Sequence, residues 1–300
     1  MRIALFSGIL KHWTIEEVIA TAASIGYEGI EILVGWGAKH LEPDTPLKRV
    51  REIKRIADDH GIVFCAIYSD CGAEAHLPDH PKNKEDLKKV QRLLERAKVL
   101  GADMVKVTAG RLELPSDTPR SGGDIVEKMG RERYERGMSN LARWLAQCCE
   151  YARKLDSKII LEVHPNQYTE TVDMCLDLLE RVGWDNLGVL YDPANLWTAH
   201  QPFGEKDILR LRKHLLHVHL KDFKRASPDI PEAVRICGEF YVPAYLGEGE
   251  VDLLPVFKGL KEIGFGGFVS CEGGSEREPV ETARRAYEGV KNMLARIGWG

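Results

Sequence analysis

The sequence predicts an α/β chain folded as one (β/α)8 barrel over residues 1–300, and three observations predict it. Short β-rich runs alternate with longer amphipathic stretches eight times, the pattern of parallel strands joined by helical crossovers. No linker rich in Pro, Gly or Ser divides the chain, so it reads as a single domain. The first run continues into SGILKHW, which is not the glycine-rich phosphate turn that opens a doubly wound sheet.

The strand runs in order are RIALFS (2–7), GIEILVG (29–35), IVFCAIYS (62–69) and DMVKVTAG (103–110), then KIILEVHP (158–165), LGVLYDP (187–193), LLHVHLKD (215–222) and GFVSCEGG (267–274). Helix starts punctuate them. Thr14 with Glu17 spells a capping box, Thr45 before Pro46 an N-cap with proline at the first helical position, and Pro279 opens the last helix. The segment 83–101 sets Leu87, Val90, Leu94 and Val99 on one stripe and stops at Gly101. In LGEGEVDL (246–253) the glycines read as a turn feeding a helix capped by Asp252. Connections at about 70–83, 110–128 and 223–246 are too long for simple links and are candidate walls of an active site.

Composition narrows the function classes. With 44% hydrophobic and 29% charged residues the chain is neither disordered nor fibrous. A net charge of -4 argues against a protein that works by neutralising phosphates, so no nucleic-acid partner is expected. No run approaches the ~18–20 consecutive apolar residues of a membrane span. The opening ALFSGIL is too short for a secretion signal, which gives a cytoplasmic expectation. The 7 cysteines show no C-x-x-C spacing and read as reduced, buried thiols.

Parity inside the strands carries the chemistry. Alternate strand residues face opposite sides, and the side toward the helices must be apolar. Polar residues share the other parity: Glu31, Lys106 with Thr108, Glu162 with His164, His217 with His219, and Ser270 with Glu272. Charges in a barrel interior are costly unless paired or bound to a metal, and these crowd toward the strand C-termini where barrel active sites lie. Glu162, Asp192, His219 and Glu272 end four consecutive strands, so three carboxylates and an imidazole meet on one arc of the mouth. Their mutual repulsion calls for a cation. The oxygen-rich set suits one divalent ion, Mn2+ first, with Mg2+, Co2+, Fe2+ and Zn2+ compatible. His164 and His217 read as interior histidines or substrate hydrogen-bonders. Trp13, Trp36 and Trp197 fall just past strands and read as sugar-pocket walls or as rim or interface packing.

The segments LEVHPN, GVLYDPANL, HVHLKD, LGEGEVDLLPVFKGL and FVSCEGG, in this order, resemble the xylose isomerase-like barrel superfamily of sugar phosphate isomerases and epimerases, over nearly the whole chain. Its members include ketose 3-epimerases, hydroxypyruvate isomerase, inosose isomerases and dehydratases, and the type IV apurinic endonuclease. The resemblance implies a TIM barrel holding one divalent metal on Glu162, Asp192, His219 and Glu272, with Glu162 and Glu272 doubling as the acid/base pair. It implies a sugar isomerase or epimerase acting on a small keto-sugar or polyol ketone through a metal-stabilised enediolate. The alternative is a dehydratase of an inosose or keto-sugar. A barrel that binds without turnover is a third reading, against which the intact glutamates speak. The resemblance also implies that Arg225, six residues after His219, holds substrate oxygens, and that the protein is a homo-oligomer, dimer or tetramer. Glu31, Trp36, Lys106, His164 and His217 complete the expected substrate contacts, Lys106 being equally suited to pairing with an interior carboxylate. Asp222 is placed to orient His219 or a neighbouring cation. At 195 the chain departs from that family's pattern: Asn195, itself an expected substrate contact, stands where epimerases and the endonuclease carry histidine. No Asp-x-His follows strand 7 either, which leaves an endonuclease-like activity as a remote alternative.

Overall fold

The computed structural model describes residues 1–115, 118, 119, 125–273 and 278–299. The tip of the 110–128 connection and Gly274, the end of the eighth predicted run, lie outside the described residues.

The first seven predicted runs form strands in order: Arg2–Phe6 (β1), Gly29–Leu33 (β2), Val63–Tyr68 (β3), Met104–Val107 (β4), Lys158–Glu162 (β5), Leu187–Tyr191 (β6) and Leu215–Leu220 (β7). An insertion then adds Asp222–Arg225 (β8), Val234–Ile236 (β9) and Glu239–Ala244 (β10), and the eighth run forms Phe268–Cys271 (β11). The barrel closes in the order β1-β11-β7-β6-β5-β4-β3-β2, with every neighbouring pair parallel.

The helices are Ile15–Ile25 (α1), Leu47–Asp59 (α2), Lys82–Leu100 (α3), Ile125–Met129 (α4), Arg131–Lys154 (α5), Val172–Val182 (α6), Pro193–Thr198 (α7), Glu205–Leu211 (α8), Leu254–Glu262 (α9) and Pro279–Arg296 (α10). The capping box of Thr14 and Glu17 forms as read. Thr45 does not cap α2: its hydroxyl accepts the Glu42 N–H instead, and the helix begins one residue after Pro46. Asp252 lies one residue upstream of the α9 cap and accepts the Leu254 N–H at 3.3 Å.

The two parities separate as the sequence predicts. Ile30, Ile32, Val105, Val107, Leu161, Val218 and Val269 join the shell between strands and helices. Inside the barrel, Ala66, Met104, Ile160 and Leu190 make an apolar floor. Above that floor Glu31, Lys106, Glu162, His217, His219 and Ser270 are buried. An apolar plug at one end thus confines the charged groups to the C-terminal end of the strands.

The 223–246 connection, too long for a simple link, has regular structure of its own. It folds as an antiparallel three-stranded sheet in the order β8-β10-β9. All 7 cysteines are free and buried, as expected. No helix among the described residues is long and apolar enough to cross a membrane.

Candidate active site

Four strand ends bring Glu162, Asp192, His219 and Glu272 together: one ligand atom from each lies within 4.8 Å of the others. The geometry follows from local structure. Glu162 is the last residue of β5 and His219 the fifth of β7, while Asp192 and Glu272 sit one residue past β6 and β11. Asp192 is also the N-cap of α7, its Oδ1 accepting the Asn195 N–H at 3.0 Å. That bond holds its other oxygen, Oδ2, buried and without a hydrogen bond. His219 Nδ1 lies 3.0 Å from Glu272 Oε2 and 3.7 Å from Glu162 Oε1.

Two lysines offset the acids. Lys106 Nζ lies 3.4 Å from Glu162 Oε2 and 3.9 Å from the centre of the Tyr68 ring. Lys221 Nζ donates to Glu272 Oε2 at 2.9 Å and stands 2.9 Å from Asp192 Oδ2, off the hydrogen-bonding direction. Glu162 is further fixed by the Tyr68 hydroxyl, which donates to Oε2 at 2.7 Å, and by the Asn195 amide, which donates to Oε1 at 3.1 Å.

These contacts sort the titrations. Burial opposes ionisation of Glu162, but Lys106, His219 and His164 together outweigh it and hold the carboxyl well below 4.5. Burial likewise opposes ionisation of Glu272, yet Lys221 and His219 carry it down to about 2. Asp192 goes the other way: burial raises it to about 6, with Lys221 offsetting only part. Around the His219 imidazole, burial is outweighed by Glu31 and Glu272, which raise its pKa well above 6.5.

The other expected residues divide into near and far. Asn195 and Lys106 touch Glu162 directly. His164 Nδ1 donates to Pro165 O at 2.6 Å, and burial holds its pKa below 6.5, so Nε2 is left as an acceptor. Glu31 and His217 are fully buried. Glu31 Oε2 is 2.7 Å from His219 Nε2 and 3.0 Å from His217 Nε2, and Ser270 Oγ is 2.8 Å from the same His217 nitrogen. The pair stands against His219, and neither is among the residues bordering the mouth cavity.

That cavity, of about 310 Å³, is bounded by Phe6, Leu33, Trp36, Tyr68, Lys11 and Glu272 among others. A larger one of about 500 Å³, lined by residues of α4, α5 and α6, holds none of the cluster. Trp36 is 56% exposed and has φ +48°, between Gly35 at +93° and Gly37 at +76°. Three successive left-handed residues are what turn its indole outward, 5.7 Å from the Tyr68 ring. Arg225 stands on β8, outside the cluster, its guanidinium donating to Glu250 Oε2 at 2.8 Å and lying 4.7 Å from the Trp197 ring centre. Trp13 is partly buried against the main core rather than at the mouth.

Asp222 corrects a sequence expectation. Its carboxylate does not reach His219; it accepts the backbone N–H groups of Gly247, Gly249 and Val251 at 2.9–3.1 Å. The approach is so close that a Cβ on Gly249 would lie 2.0 Å from Asp222 Oδ1. Lys221 and Tyr68 are the residues the sequence reading missed. A signal existed for Lys221, which shares the parity of His217 and His219. Tyr68 is separated by 94 residues from the carboxylate it serves, and only the closed ring reveals the pairing.

A closed parallel barrel with a carboxylate–imidazole cluster at the C-terminal ends of its strands defines a class of barrels built around a metal-type site. The chain belongs to the xylose isomerase-like TIM barrel family, whose model matches residues 19–294. It is 28% identical over 304 residues to the inosose dehydratase of Clostridium tetani, covering 94% of this chain and 90% of that protein. To the fructoselysine 3-epimerase of Escherichia coli O157:H7 it is 21% identical over 306 residues, covering 98% of each. Among solved structures, the IOLI protein with a bound zinc atom superposes with a TM-score of 0.74 at 18% identity, covering 99% of each chain. That likeness concerns the fold.

Proposed function

We propose that this chain is a divalent-metal-dependent isomerase or epimerase of a small keto-sugar or polyol ketone. The observation that carries the reading is the meeting of Glu162, Asp192, His219 and Glu272, one donor atom of each within 4.8 Å of the others. The donor set fits one divalent ion: three carboxylates and one imidazole, with Asp192 Oδ2 buried and faced only by the Lys221 ammonium at 2.9 Å. When bound, such an ion polarises a carbonyl and acidifies the neighbouring C–H. Mn2+ is the ion we assign first; Mg2+, Co2+, Fe2+ and Zn2+ suit the same donors, and the IOLI structure carries zinc.

The remaining chemistry belongs to the chain. Glu272 borders the mouth cavity and accepts the substrate proton on its carboxylate. Glu162, held by Tyr68, Asn195 and Lys106, is the second member of the acid/base pair. The apolar wall of Phe6, Leu33 and Trp36 excludes water from one side of the substrate. Asn195, Lys106 and His164 lie beside Glu162 to meet substrate oxygens, and Arg225 marks the outer rim. The free, buried cysteines accord with a cytoplasmic location, and we extend the reading to a homo-oligomer, dimer or tetramer.

A dehydratase is the second reading, favoured by the 28% identity to an inosose dehydratase and by the free Nε2 of His164 as an added proton acceptor. Proton removal is shared; a β-hydroxyl then leaves as water. Incubation of the metal-loaded protein with keto-sugars and inososes in D2O separates the two. Deuterium at an epimerised or isomerised carbon identifies the isomerase, and an unsaturated or deoxy ketone the lyase. Glu162→Gln and Glu272→Gln are each expected to abolish turnover. Full turnover in either variant removes the acid/base assignment.

A further inference from the structure

We infer that Glu31 is a positioning residue of the cation site, fixing the tautomer and the aim of His219 from across the barrel. The inference rests on the cation reading of the cluster. In the ring of strands β2 lies between β1 and β3, whereas β7 lies between β11 and β6, so Glu31 reaches His219 through the interior rather than from a neighbouring strand.

A carboxylate only accepts. Its Oε2 is 2.7 Å from His219 Nε2 and 3.0 Å from His217 Nε2, and all three side chains are 0% exposed. Both imidazoles therefore donate from Nε2. For His219 this commits Nε2 to the N–H and turns Nδ1 toward the ligand cluster. Without an ion Nδ1 too gives a proton to Glu272 Oε2, 3.0 Å away, and would release that proton to ligate. For His217 it leaves Nδ1 as a lone pair, in keeping with a buried Nδ1 that has no hydrogen-bond partner. A proton there would be a buried donor with nothing to bind. Ser270 Oγ, 2.8 Å from His217 Nε2, keeps that ring in place beside Glu31. A carboxylate behind a ligating imidazole orients the ring and raises its basicity, and its loss costs roughly 10–100-fold in metal affinity.

Glu31, His217 and His219 could alternatively hold an ion of their own, since their donor atoms also lie within 4.8 Å of one another. Such an ion would take His219 through Nε2, or through both ring nitrogens if each cluster held one, leaving no N–H for Glu31. Stoichiometry and the ligating nitrogen tell these arrangements apart.

The test uses the full chain and metal alone. Mn2+ titration calorimetry is run on the wild type, Glu31→Gln and Glu31→Leu, and 15N-histidine NMR on the Zn2+-loaded wild type. One ion per wild-type chain is expected, weakened roughly 10–100-fold in Glu31→Leu and less in Glu31→Gln, which keeps an acceptor oxygen. The NMR spectrum should show His219 ligating through Nδ1 with a proton on Nε2. Wild-type affinity in both variants overturns the positioning role while leaving the cation site standing. Two ions per wild-type chain, or ligation through Nε2, also overturns it. No ion bound by the wild type overturns the cation reading and this inference together. Should Glu31→Leu fail to fold, Glu31→Gln and the wild-type tautomer decide the matter.

Discussion

Replacing Lys106 by Met tests the electrostatic design most directly. The ammonium lies 3.4 Å from Glu162 Oε2, and both side chains are 1% exposed, so solvent cannot take over its charge. Methionine fills a similar volume and leaves Glu162 with the Tyr68 hydroxyl, the Asn195 amide and the His219 imidazole 3.7 Å away, but without its buried ammonium. Breaking a buried pair from one side costs about 3–5 kcal/mol, because the surviving charge is stranded. For a chain of this size each kcal/mol moves the midpoint by roughly 2 °C, so metal-free Lys106→Met should melt roughly 6–10 °C below the wild type. The sign with pH is fixed. Glu162 titrates below 4.5 in the folded protein, so the pair stabilises fully above pH 4.5 and loses that contribution as acid is added. The deficit should therefore narrow toward low pH. Adding Glu162→Gln removes the stranded charge and should restore most of the loss, a coupling read from the double-mutant cycle. Scanning calorimetry in chelator measures all of this. A midpoint shift below about 2 °C, or a double variant no better than the single, refutes the account.

Asp192→Asn keeps the helix cap, since asparagine caps as well as aspartate, but removes a ligand charge. Metal content after dialysis should fall while the fold persists; wild-type stoichiometry would count against the ligand role. Gly249→Ala drives a Cβ to within 2.0 Å of Asp222 Oδ1 and should cost about 1–3 kcal/mol, exposing residues 224–246 to limited proteolysis. An unchanged cleavage rate contradicts it. His40 takes the Ser7 hydroxyl on Nδ1 at 2.9 Å and gives its Nε2 proton to Leu10 O at 3.2 Å, and burial holds its pKa below 6.5. The unfolded chain protonates first as pH drops through 6.5, so the His40 contribution is present above that pH and shrinks below it. Urea unfolding of His40→Gln should accordingly show a smaller deficit at pH 5 than at pH 8; parallel pH profiles would argue otherwise.

Much of this was legible from residue order because a barrel imposes two strict periodicities. Eight apolar runs with one polar parity foretold both the strand ring and the end at which its charges collect. The four converging residues were readable for the same reason: each sits at a strand end, and closure does the rest. What escaped was set by contacts that no local pattern encodes. Lys221 sits in the polar stretch KDFKR and reads as solvated until the ring brings Asp192 and Glu272 to either side of it. Glu31 showed its parity but not its partner, 188 residues away. The sheet of β8, β9 and β10 lacks an apolar alternation strong enough to announce it, since much of its surface meets water. Asp222 pointed the wrong way because its partners lie 25–29 residues downstream, where the chain folds back.

That fold-back has a consequence for how such a barrel diversifies. Asp222, three residues after His219, staples the start of the excursion to its return, so the strand that carries His219 is held independently of the segment's outer part. Chimaeras that exchange the exposed residues between 226 and 240 should therefore leave His219 in register.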